Sequence, residues 1–218
     1  MITLKYSKTD SAIFTSHIDL LKHFVKIVNR SGVSVEYSKG FHPHINVYFT
    51  SALPVGVSSE AEYVTVETNE ESIIDRLNEK SIGGLVFTKE YLTKANPKLT
   101  SQIYKSLYEV DTDLSSENQE KLRNYFEKED IIVTTEKKGE ITQKRVNELI
   151  FDYKVADSGL SLMLATGNPN QRIDALIRQI NNDLGLKIMI TKSKKIKQFV
   201  LANGEDMEVG EYLKSIGE

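Results

Sequence analysis

An α+β protein built from two tandem β-α-β-β-α-β halves is predicted by three observations. Strand-like and amphipathic helical segments alternate along the 218-residue chain, the same order of segments occurs twice, and the clearest linker signal, Asn96-Pro97-Lys98, falls between the two occurrences. This order is the split β-α-β arrangement of ferredoxin-like domains. The expected divisions are an N-terminal ferredoxin-like domain over 1–97, a C-terminal one over 98–200, and an acidic C-terminal tail or helix over 201–218.

In the first half, residues 2–8 read as a strand. Residues 17–31 read as a helix, with Ile18, Leu21, Val25 and Val28 at helical spacing and Gly32 placed to end it. Residues 45–52 and 61–67 alternate as strands. Thr68 and Glu71 have the spacing of a capping box for a helix over 71–79, and Gly83-Gly84 precede a strand over 85–92. In the second half a strand over 103–113 leads into a helix from Ser115 to Lys128, then strands over 130–136, 145–155 and 159–166. Pro169 suits the first position of a helix over 169–183, and a last strand over 186–190 runs into a group of lysines.

Composition limits the chemistry. The chain has no cysteine, which excludes a disulfide scaffold, a zinc ribbon, a thiol nucleophile and an iron–sulfur cluster held by this chain. No run approaches the roughly 18 apolar residues that span a bilayer, and the N-terminus lacks a signal-peptide layout, so a cytoplasmic protein without membrane contact is expected. The net charge is −3, from 28 basic and 31 acidic groups, but it is segregated. Residues 184–199 hold five lysines and no acid: Lys187, Lys192, Lys194, Lys195 and Lys197. Such a stripe can bind a polyanion, because the local field decides rather than the sum. It can equally be the wet face of an edge strand, guarding it against aggregation.

The chemistry-bearing residues cluster early. All four histidines lie within the first 44 residues. In Ser16-His17-Ile18-Asp19, Ser16 and Asp19 have the pattern of a helix cap, which leaves His17 unexplained. Tyr37-Ser38-Lys39-Gly40-Phe41-His42-Pro43-His44 presents two imidazoles, a phenol, a hydroxyl and an ammonium on a loop stiffened by Pro43. Leu53-Pro54-Val55-Gly56 makes a fixed turn, and Glu62 opens the strand that follows. Together His17, Asp19, Tyr37, Ser38, Lys39, His42, His44 and Glu62 form one candidate surface site. A His-x-His pair alone is a weak metal signal, since zinc draws three or four ligands; His17 with Glu62 or Asp19 would complete a set if the fold joined them.

The motifs S-H-I-D-L, Y-S-K-G-F-H-P-H-I and L-P-V-G-V-S-S-E-A-E-Y, spanning residues 16–63, resemble the radical-SAM-associated family of bacterial proteins, a domain of unknown function. The likeness continues more loosely to Ile177, where Asn147 stands at a position at which that family tends to show Asp. The resemblance implies a partner: a radical-SAM protein encoded separately, because this chain supplies no thiolate for the cluster. It also hints at RNA or a ribosomal component, through the gene neighbourhoods of the family.

Three functions follow. The first is a non-catalytic accessory module that binds RNA or a ribonucleoprotein through the loop and the five lysines. The second is a ferredoxin-like endoribonuclease in which His42 or His17 moves the proton. The third is a protein-interaction scaffold. The chain lacks the aromatic motif of a standard RNA-recognition domain, and no cofactor of its own is expected.

Overall fold

In the computed structural model, which describes residues 1–217, both halves join one nine-stranded sheet. The first half comprises β1 (Ile2–Lys8), α1 (His17–Ser31), β2 (Val47–Phe49), β3 (Ser58–Val66), α2 (Ile74–Glu79) and β4 (Leu85–Leu92). The second comprises α3 (Leu99–Gln102), β5 (Ile103–Asp111), α4 (Ser116–Phe126), β6 (Ile132–Lys137), β7 (Glu140–Arg145), β8 (Ile150–Ala156), β9 (Gly159–Ala165), α5 (Ile173–Leu184) and β10 (Ser193–Ala202). β11 (Glu205–Glu208) and α6 (Val209–Gly217) follow.

The path through the sheet is β4-β1-β3-β10-β5-β9-β8, with β2 on β3 and β11 on β10. Each half therefore places its fourth strand beside its first and its third between first and second, all antiparallel. This is the order of a split β-α-β unit. The halves meet where β10 runs parallel to the start of β3, pairing Lys194 with Ser58 and Lys195 with Ser59, while the end of β3 pairs with β2.

Period-2 alternation sends Ile2, Leu4 and Tyr6 of β1 and Val64 and Val66 of β3 against Phe24 and Ile27 of α1 and Leu77 of α2. A second core joins β5, β8 and β9 to α4 and α5. Across the opposite face of the first half, Val209 and Leu213 of α6 pack with Tyr63, Tyr91, Leu99, Ile103 and Val200. At the turn into β4, Gly84 has φ +81°, and a Cβ there would collide with the Thr9 carbonyl, so only glycine fits.

Several local expectations are corrected. No capping box opens α2: Thr68 donates to the Ser34 carbonyl, and the Glu90 carboxylate accepts from Ile73 N–H and Ile74 N–H at 3.0 and 3.2 Å. Residues 132–137 do not join the main sheet but close a separate hairpin with 140–145. α5 starts at Ile173, not at Pro169, which follows a cis peptide bond. Residues 186–190 are not the last strand. Gly185, at φ +68°, ends α5, and the Asn181 side chain binds both N–H and C=O of Ile188, leaving the lysine stretch itself as β10.

Candidate functional site

Two recesses concentrate the chemistry. The first is a narrow pit between the start of α1, β1 and β3, lined by Tyr6, Lys8, His17, Leu20, Ser51, Leu53 and Glu62, with a volume of about 10 Å³. Lys8 continues the inward alternation of Ile2, Leu4 and Tyr6, and is 1% exposed; Nζ donates to the Thr15 carbonyl at 2.8 Å. Glu62 shares its face with Val64 and Val66 and is 3% exposed. Its carboxylate accepts from Ser59 Oγ at 2.8 Å and pairs with Lys195 Nζ at 2.8 Å. Lys195, in the middle of the sheet, is also 1% exposed.

Fully buried lysines are rare unless paired, and this cluster holds two ammoniums against one carboxylate. Burial lowers the Lys8 pKa; Glu62 opposes that and Lys195 reinforces it. For Lys195, burial also acts to lower the pKa, but Glu62 and Tyr108 outweigh it and the net direction is upward. Burial and then Glu62 push the Tyr6 phenol up, so it stays protonated. At the mouth, the His17 imidazole is half-buried and edge-on to Phe49, with ring centroids 6.0 Å apart. Burial lowers its pKa, Glu62 raises it and Lys8 lowers it further, with the net direction downward.

The other candidate residues lie elsewhere. Asp19 is exposed and serves the α1 cap: its N–H donates to Ser16 Oγ at 3.2 Å, and its carboxylate accepts from the Ser16 hydroxyl and pairs with Lys22. None of Tyr37, Ser38, Lys39, His42 and His44 lines the pit. Their loop closes on itself, with Ser38 Oγ 2.9 Å from His44 Nδ1, Ser38 N–H donating to the His44 carbonyl, and Phe41 fully exposed. Among the described residues no three His, Asp or Glu side chains come together to hold a metal ion.

One of the five lysines is not at the surface, while Lys187, Lys192 and Lys197 are exposed and Lys194 is partly so. Lys195 is buried, a correction that follows from β10 lying in the middle of the sheet rather than at its edge. Lys194 pairs with Glu60 at 3.0 Å and Lys197 with Glu208 at 3.2 Å. Lys187 and Lys192 flank a separate depression beside Asp111 and Asp113. Asn147 has a structural role: it accepts from Ile131 N–H at 2.8 Å and donates to the Lys128 carbonyl at 2.9 Å, fixing the entry to the β6–β7 hairpin.

The second recess is a cleft of about 800 Å³ where the halves adjoin. Tyr48 and Thr65, paired across β2 and β3, face away from α1 and α2 and form one wall. Tyr104, Phe151, Leu149, Gly167 and Asn168 form another, and Lys98 and Glu148 stand on the rim. The rings of Tyr104 and Phe151 meet edge to face at 5.8 Å, and Lys105 lies 5.3 and 5.6 Å from them. Ser51 lines both recesses. Nothing local in the sequence marks the cleft, since its walls come from five separate segments.

No curated protein matches this chain in sequence. Among solved structures, a chain from the structure of an H/ACA RNP bound to a substrate RNA containing 2'-deoxyuridine is similar, with 13% identity and a TM-score of 0.44. The match covers 89% of this chain and 46% of that one, so this chain spans less than half its length. A family model described as "Uncharacterized protein conserved in bacteria (DUF2344)" matches residues 1–179, and the chain belongs to that family.

Proposed function

We propose that this protein is a non-catalytic RNA-binding module that works beside a radical-SAM enzyme carried on another polypeptide, and that the cleft between its halves receives an unstacked base. The observation that carries this reading is that Tyr48 and Phe151, 42% and 48% exposed, both line an 800 Å³ recess, with Tyr104 edge-on to Phe151 and the exposed Lys98 also in the lining. Aromatic faces offered to solvent in a mainly apolar recess suit planar rings, and single-stranded RNA is recognised by stacking splayed bases on such groups. The partner reading rests on the 16–63 motifs and on the absence of any cysteine to hold a cluster.

The test is an anisotropy titration of labelled single-stranded RNA at about 50 and 200 mM salt. Binding should be present at low salt, with a shallow salt slope because the cleft lining offers a single lysine, Lys98, to phosphates. Phe151→Ala should weaken it by about 1–3 kcal/mol, the usual worth of one base–aromatic stack. No binding at low salt, or the same affinity in the variant, overturns the reading.

A further inference from the structure

The pit holds more positive than negative charge among the described residues. Lys8 and Lys195 bring two ammoniums into it, and Glu62 is engaged by Lys195 and by Ser59. The local sum is one positive charge. Lys8 has a single hydrogen bond, to a neutral carbonyl, and no acid pairs with it among the described residues. An uncompensated buried ammonium costs several kcal/mol, so a fold that keeps one is equipped to meet an anion.

The surroundings are those of a donor-lined recess. Tyr6 and Ser51, each carrying a hydroxyl donor, line the pit together with Lys8. The mouth lies at the first turn of the 15-residue helix α1, where the backbone N–H groups of His17 and Ile18 have no partner among the described residues. Helix N-termini favour anions through these free donors and the macrodipole. The volume of about 10 Å³ sets the scale: it admits about one oxygen atom and no more.

We propose that the pit is an oxyanion site that takes one oxygen of a phosphate group beside Lys8, while the rest of the group stays outside against His17 and the start of α1. Tyr6 and Ser51 donate to the entering oxygen. Glu62 does not repel it decisively, because its own charge is spent on Lys195. Since Ser51 lines both recesses, a nucleotide whose base occupies the cleft presents its phosphate to the pit. That last step rests on the RNA reading; the phosphate site does not.

Calorimetric titration of the full chain with inorganic phosphate tests the site. The wild type should bind saturably, with Lys8→Met at least tenfold weaker. Ser51→Glu, which sets a carboxylate at the mouth and leaves the core intact, should abolish binding, so a misfolded Lys8→Met does not leave the matter open. No saturable binding by the wild type, or unchanged binding in Ser51→Glu, overturns the proposal. A second arm uses RNA in which single linkages are made neutral as methylphosphonates. If one position weakens binding to the wild type but not to Lys8→Met, the pit holds an RNA phosphate. If phosphate binds and this arm is flat, the site stands with free phosphate as its ligand. Failure of the base-stacking reading is read separately, from Phe151→Ala.

Discussion

Lys8, Glu62 and Lys195 occupy strand positions whose neighbours face the core, and that parity makes them a cluster rather than three surface charges. Glu62→Gln leaves both lysines buried without a counter-charge and should cost about 3–5 kcal/mol in a denaturant melt. A loss below about 1 kcal/mol would mean that the ammoniums reach solvent. The half-buried position of His17 gives its pH dependence a sign. Burial holds its folded pKa below the ordinary 6.5, so its contribution to stability is full above that value and is lost as pH falls through the lowered one. Thermal melts between about pH 7.5 and 5 should show a larger drop for the wild type than for His17→Gln. Equal drops would contradict the assignment. At this scale the sequence was partly legible. His17 stood out because a cap does not need it. Lys8 did not, although its place after Ile2, Leu4 and Tyr6 in a period-2 strand already marked an inward charge. Of the two imidazoles in the 37–44 loop, neither lines the pit, and the His44 ring bonds only Ser38 within the loop.

Among the elements, α1 follows its sequence signals at both ends: Ser16 caps it and Gly32 ends it at φ +67°. Its buried face is turned from the Ile18-Leu21-Val25-Val28 stripe onto Leu20, Phe24, Ile27 and Val28, and Ile18 stays 65% exposed. Ser16→Ala should destabilise the protein by about 1 kcal/mol, measured by chemical denaturation, and a neutral result would show the cap to be dispensable. β10 was illegible for a physical reason. Its inward positions include Ser193, Lys195 and Gln198, so the alternation that reveals a strand carried no apolar signal. These polar groups are accommodated by partners across the junction: Glu62 meets Lys195, and the Ala61 carbonyl accepts from the Gln198 amide. The β6–β7 hairpin was misread as one strand of the main sheet because its six-residue strands are mostly exposed and its register is local.

Across the whole molecule, the two halves are tied by β10 against β3 and by α6, whose Val209 and Leu213 are fully buried among residues from both halves. Truncation after Ala202 should therefore lower the melting temperature and speed amide exchange in β4 as well as in β5. Exchange confined to the end of β10 would contradict that coupling. The repeated strand order could be read from pattern alone, whereas the cleft could not, because Tyr48, Tyr104, Phe151 and Asn168 share no local motif and meet only after the halves join. The most direct test of the central claim is photo-crosslinking of single-stranded RNA to the full chain, with the modified residues mapped by mass spectrometry. Crosslinks at Tyr48, Tyr104 or Phe151 are predicted. Crosslinks confined to the 37–44 loop or to Lys187 and Lys192, with none in the cleft, would contradict the account.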